Sequence, residues 1–315
     1  QNGTNSNDGF SNITVQNMVA QSIHGSTLSG DCGWIGQSYF GKNATDNVFQ
    51  NCSSDGPVSV NGGGITGGYS TATANNCFST GTTGQYGGGI FGSHATGSSA
   101  ANCHSTGAIG QYGGGIFGSH AGGLNQSDAS TATNCHSTGA ISSSSGGIFG
   151  SSASYCSANA CFTTGSISPL AGGVFGTSTS DSSSINCYSA GNIGFAAGGI
   201  FGNSVLNSTA INCYSMGDID VDAGGIFGDS ASGDSATNCY SVGDIGNDAG
   251  GIFGASSVGI TAANCYTTGA LGTGAGGIFG NGQSTVTEVA CYSEGANSSS
   301  GWNNANANTV LLNVD

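Results

Sequence analysis

The sequence predicts a single all-β domain, a parallel β-solenoid (β-helix) of the right-handed type, and three observations carry that expectation. A Cys recurs at 52, 77, 103, 135, 161, 187, 213, 239, 265 and 291, and seven of the nine intervals are 26 residues, the others being 25 and 32. Every one of these Cys is followed four residues later by Gly, from Gly56 to Gly295, and thirteen residues later, as far as Cys265, by Ile or Val, from Ile65 to Ile278. No helical pattern competes, because apolar residues never recur at three and four, and 61 Gly against 2 Pro would penalise any helix.

Each copy reads as three short strands joined by tight turns. In Ile185-Asn186-Cys187-Tyr188-Ser189 a period of two puts Ile185, Cys187 and Ser189 on one face and Asn186 and Tyr188 on the other. Gly191 then reads as a positive-φ turn residue. Ile193 centres the second strand, and a Gly-Gly corner leads into Ile200-Phe201-Gly202. About ten to eleven coils stacked at about 4.8 Å give a rod roughly 50 Å long. Coils contact only their neighbours, so the ends need caps. Residues 1–50 read as an N-terminal cap with a degenerate first corner at Gly33-Trp34-Ile35-Gly36, residues 51–295 as the repeats, and 296–315 as a C-terminal capping strand ending in Val310-Leu311-Leu312. The 32-residue interval carries six extra residues within 121–130, a surface loop.

Composition narrows the partners. Charged residues are 5% of the chain, Lys42 is its single cation, and 16 Asp and Glu set the net charge at −15. Nucleic acid and anionic membranes are therefore poor partners, and no apolar run is long enough to span a bilayer. The near absence of Lys and Arg blunts trypsin-like cleavage. The chain opens at Gln1, as a mature protein would after removal of a leader. Asn-x-Ser/Thr sequons begin at Asn2, Asn12, Asn43, Asn51, Asn125, Asn207 and Asn297, of which Asn51 is the poorest candidate because it sits in a ladder strand. With twelve Cys, these point to an extracellular, secreted or cell-surface glycoprotein.

The motif Asn-Cys-Tyr-Ser-x-Gly-x-Ile-Gly followed by Ala-Gly-Gly-Ile-Phe-Gly resembles the GLUG-type repeat over about Cys52 to Gly295. That resemblance implies a β-solenoid in large secreted or surface-attached microbial proteins, adhesins among them, and it brings no catalytic residues. The departure is Phe in the corner, eight times over.

Several columns could carry chemistry. The ten-Cys ladder admits paired disulfides or a column of small buried thiols, and Cys156 with Cys161, five apart across a turn, could bridge each other. His94 with His120, and His104 with His136, recur in register but lack zinc-type spacing. Asp218, Asp222, Asp244 and Asp248 stack in pairs at the repeat offset, so calcium is the one cofactor considered; a solvated acidic edge is the alternative. A hydrolase built on these Asp would need a non-repeating groove, and a lyase would need cations the chain lacks. Ice binding would need a Thr plane, but the column three after Cys changes from Thr164 to Ala190, Met216 and Val242. Two aromatic columns remain: Phe91 through Phe279, read as core filler, and Phe78, His104, His136, Phe162, Tyr188, Tyr214, Tyr240, Tyr266 and Tyr292, read as outward. A strip of that length on the surface calls for a cover.

The expectation is thus a non-enzymatic structural protein, a homo-oligomer or self-assembling subunit of an extracellular fibre or sheath. The alternative is a carbohydrate-binding adhesin module that uses Tyr188, Tyr214, Tyr240, Tyr266 and Tyr292 against glycans.

Overall fold

The computed structural model describes residues 2–23 and 26–294. The expected closing strand near Val310, and the sequon at Asn297, lie outside those residues. Among the described residues, twenty-two short strands, β1 to β22 in chain order, form two parallel sheets of eleven. Odd-numbered strands, from β1 (Thr14–Gln16) to β21 (Thr287–Val289), stack in one sheet, and even-numbered strands, from β2 (Val19–Ala20) to β22 (Tyr292–Ser293), in the other. The chain is a parallel β-solenoid, one strand of each sheet per coil. A 3-10 turn at Gln126–Asp128 is the one helical segment among the described residues.

The expected third strand is narrower than a strand. The Ile column from Ile109 to Leu271 and the corner columns of Gly and Phe join neighbouring coils through single parallel bridges. Turns on both sides leave one residue per coil free to pair there.

Register follows the repeat. In β13 (Ser183–Ile185) and β14 (Tyr188–Ser189), Ser183 pairs with Thr209 and Tyr188 with Tyr214, each one repeat on. Between the two strands sits Asn186 with φ 55°, a left-handed corner that Asn tolerates well. This corner interrupts the expected alternation: Ser184, Cys187 and Ser189 point inward, whereas Ile185 is only half-buried. The outward Asn side chains bond along the axis, Asn212 Nδ2 to Asn186 Oδ1 and Asn238 Nδ2 to Asn212 Oδ1, both at 3.1 Å.

Gly191 corrects the sequence reading in another way. Its φ is not positive; instead, a Cβ there would collide with the backbone carbonyl of Gly165 in the preceding coil. The glycine column exists for close approach between coils. The Gly-Gly corner works similarly, since a Cβ on Gly199 would strike the Gly225 carbonyl and the Ser215 side chain.

That corner also settles where the phenylalanines go. Amides of both Val174 and Phe175 donate to the Ile200 carbonyl, at 2.9 and 2.8 Å, so the chain twists sharply and turns successive side chains inward. Ile200 and Phe201 are both fully buried, as are their counterparts through coil after coil. Phe rings stack along the axis with centroids 4.8 Å apart between Phe91 and Phe253. Cys, Ala and Ile columns complete this core, and a second apolar cluster forms from the Ile109 to Ile245 column with Ala171, Ala197 and Ala223.

The first coils keep the architecture with different filler. β1 pairs with β3 (Val48–Gln50), and Gly33 and Gly36 bridge Gly63 and Thr66, so the coil before β3 has the same strand and corner positions as later ones. Thr66 and Gly36 stand where later coils have Phe. Phe49 replaces the Ala of later coils and fills that space, its ring 4.7 Å from Phe40.

Candidate functional site

The even-numbered sheet presents the outer aromatic column. From Phe78 to Tyr266, neighbouring rings lie 4.7–5.0 Å apart and within 6° of parallel. Each ring is held by a two-residue strand whose next residue, Ser or Thr, points inward, so the ring must point out. Phe78, Tyr266 and Tyr292 are exposed and the others half-buried. Burial raises the phenols of Tyr214 and Tyr240, with the neighbouring tyrosines adding to the shift. Beside the column, Met216 and Val242 are 44% and 43% exposed, making this part of the sheet apolar as well as aromatic.

Stacking decides what the column can bind. From His104 to Tyr240 each ring face is covered by the ring of a neighbouring coil, so only edges and phenol oxygens meet solvent there. One common mode of sugar binding stacks the sugar on an open ring face. The row therefore offers a ribbed, hydroxyl-tipped surface rather than a set of sugar platforms.

Both His pairs stack as their register predicts, at 4.7 Å for His94 and His120 and 4.9 Å for His104 and His136. His94 continues a further stack, Tyr39 to Tyr69 to His94, whose spacings of 30 and 25 residues depart from the 26-residue period. Tyr86 and Tyr112 form another, 5.1 Å apart. Burial lowers the pKa of all four imidazoles, and the adjacent His lowers His94 and His104 further.

The four Asp proposed for calcium do not converge. Asp218 accepts the Asp244 amide at 3.2 Å and Asp244 accepts the Ala270 amide at 3.0 Å, so this pair caps backbone donors of the following coil. Asp222 and Asp248 occupy a different column of left-handed corners, where burial and then Asp229 and Asp248 raise the Asp222 carboxyl. Among the described residues no group of three His, Cys, Asp or Glu is placed to hold a metal ion.

All twelve Cys are free thiols, and the ten of the ladder are buried. Cys156 and Cys161 are not joined: they occupy separate columns on either side of the strand Ser157–Asn159, and their thiols donate to different carbonyls, Ser154 for one and Ala132 and Asn159 for the other. Burial pushes the Cys156 thiol up to about 12. A column of thiolates at one-coil spacing would combine desolvation with like-charge repulsion, so the ladder is a column of neutral thiols.

Of the sequons, Asn12, Asn43, Asn51, Asn125 and Asn207 are exposed; Asn51 stands not within a ladder strand but at the left-handed corner after it, its Nδ2 donating to Asn17 Oδ1 at 3.1 Å. Asn2 is buried with both amide atoms engaged, accepting from the Phe10 amide and donating to the Phe10 carbonyl at 3.2 Å, which makes it a poor acceptor in the folded chain.

No family model matches this chain, and no curated protein matches its sequence. Among solved structures, a candidate immunoglobulin A1 protease from Bacteroides ovatus is similar at 17% identity, with 93% of this chain and 86% of that chain covered and a TM-score of 0.34. A likeness of that degree says nothing about activity. No described helix is long and apolar enough to cross a membrane.

Proposed function

We propose that the chain is a secreted or cell-surface structural protein, a GLUG-type repeat subunit that assembles with copies of itself into an extracellular fibre or sheath. The observation that carries this reading is the outer face of the even-numbered sheet, where an unbroken row of rings runs beside exposed Met216 and Val242. Soluble monomers seldom expose so long an apolar strip. The net charge of −15 opposes association in general, but the ring column itself carries no Asp or Glu, and ribbed ring edges interdigitate well with a second ribbed row. Half-paired terminal strands give a second, weaker contact: among the described residues β1 and β2 pair on one side only, and Val19 beside them is 66% exposed.

Adhesin function through the tyrosine row has less support, because the ring faces are occupied by one another. Electron microscopy and light scattering at high concentration test the assembly reading. Filaments or paired rods that dissociate on Tyr214→Arg or Tyr240→Arg support it. Monodisperse single rods of roughly 50 Å at every concentration would overturn it.

A further inference from the structure

In a solenoid the repeated positions serve the architecture, so a ligand site belongs where the period is broken and the breaks meet. The corner between the Tyr39–His120 column and the odd-numbered sheet is such a place. Four residues fill it in ordinary coils, as between Ser152 and Ser157. Eight fill it between Tyr39 and Val48, three between Tyr69 and Thr73, four between His94 and Ser99, and ten between His120 and Thr131. The first and fourth coils are thus enlarged at one corner, while the two between them are plain, one of them a residue short.

The result is a groove of about 380 Å³, within the usual range of small-molecule sites, about 300–1,000 Å³. Thr71, Thr73 and Thr96 form its floor, Asp46 rises in one wall and Asp128 in the other. Its width is set by three coil spacings, about 14 Å. Both walls are braced. The Gly97 amide donates to the Asp128 carbonyl at 2.9 Å, and Asn43 Nδ2 donates to Asp8 Oδ1 at 2.7 Å. Asn47 in the same lining is 2% exposed; its Oδ1 accepts the Ile13 amide, yet its Nδ2 has no acceptor among the described residues. Native proteins seldom leave a buried donor unmatched.

We infer that this groove binds a short stretch of neutral polysaccharide, two or three sugar units lying along the solenoid axis. Hydroxyl, amide and carboxylate groups line it, with no aromatic or large aliphatic side chain and no cation. An apolar ligand finds nothing to bury against, and an anionic one meets two carboxylates. A ligand rich in hydroxyl groups supplies donors to Asp46 and Asp128 and an acceptor for Asn47 Nδ2, the one unmatched buried donor in the lining. This site is separate from the tyrosine row and does not depend on assembly.

The test uses the full chain made without N-glycans, so that Asn43 and Asn125 at the groove carry none. Calorimetric titration with cello-, xylo- and mannotriose should give saturable binding to at least one. Excising residues 124–129 leaves Gly123 at the left-handed corner that Tyr155 holds in the next coil, and should weaken binding at least about tenfold. Asp46→Asn and Asp128→Asn should each weaken it several-fold, and Tyr214→Ala should leave it unchanged. Circular dichroism and the melting midpoint confirm folding; if the excised chain does not fold, the two Asn variants decide. The inference is overturned if no neutral trisaccharide binds, if the groove variants bind as the parent does, or if spermine binds in their place.

Discussion

Two ring ladders run along most of this solenoid, one inside and one outside, and their geometry is nearly the same. Phe201 stacks on Phe227 at 4.8 Å and 2°, and Tyr214 on Tyr240 at 4.7 Å and 3°. Yet Phe201 is wholly buried while the tyrosine row lies half in water. Ring spacing is therefore imposed by the backbone, which repeats at one coil per rung whatever the side chain. Solvent contact, not stacking, distinguishes a core column from a surface one. It also explains why the outer column accepts His104, Phe162 and Tyr188 in succession, whereas the inner column stays Phe from Phe91 to Phe279.

The largest effect should come from breaking the inner ladder. Phe201→Ala removes a fully buried ring from mid-solenoid and should cost about 3–5 kcal/mol in urea unfolding. A cost near that of a surface change would show that the Phe column is not the core.

A charge placed within the inner wall sharpens the same contrast. Asp234 is buried in a column that holds Cys156, Ser182 and Ser208 before it and Ile260 after it, accepting the Ser208 and Ser232 amides at 2.6 and 2.8 Å. Burial raises its carboxyl from 3.8 to about 7. The folded chain therefore holds this proton more tightly than the unfolded one, and the associated stability, full below pH 3.8, is lost as pH rises through about 7. Asp234→Ser should melt higher than the parent by roughly 1–3 kcal/mol at pH 8, with the advantage gone near pH 4. Melting curves across that range check it; an unchanged difference at both ends would refute the burial argument.

The histidines, two in the outer ladder and two in the separate Tyr39–His120 stack, have a pH response of opposite sign. His94, His104, His120 and His136 are all depressed below 6.5 in the folded chain, so their contribution is present above 6.5 and lost as pH falls below it. Replacing His104 and His136 by Phe, which the column accepts at Phe78 and Phe162, should flatten the fall in melting midpoint between pH 7 and 5. An equally steep fall in the double variant would assign it elsewhere. The smallest effect belongs to Tyr214→Ala, about 1 kcal/mol, so its influence on assembly can be read without loss of fold.

Much of this was legible beforehand. The 26-residue period and the Cys, Gly and Ile columns determined the parallel solenoid, because residues one period apart must become neighbours in stacked coils. Burial of Cys187 and the outward turn of Tyr188 also followed, since adjacent residues on a short strand face opposite ways.

The period says who stacks on whom but not how each coil closes, and closure is what the tertiary structure decided. It placed Asn186 in a left-handed corner, turned Ile185 half outward, and let Ile200 and Phe201 both point in. Closure also placed the Asp218 and Asp244 pair and the Asp222 and Asp248 pair, which the repeat offset had suggested for calcium, in separate columns. Above all, it brought Asp46 and Asp128 to one groove across eighty-two residues of sequence. An insertion counted along the chain has only a length. Its corner of the coil, and so its neighbour three coils away, exists only once the backbone has wound around the core.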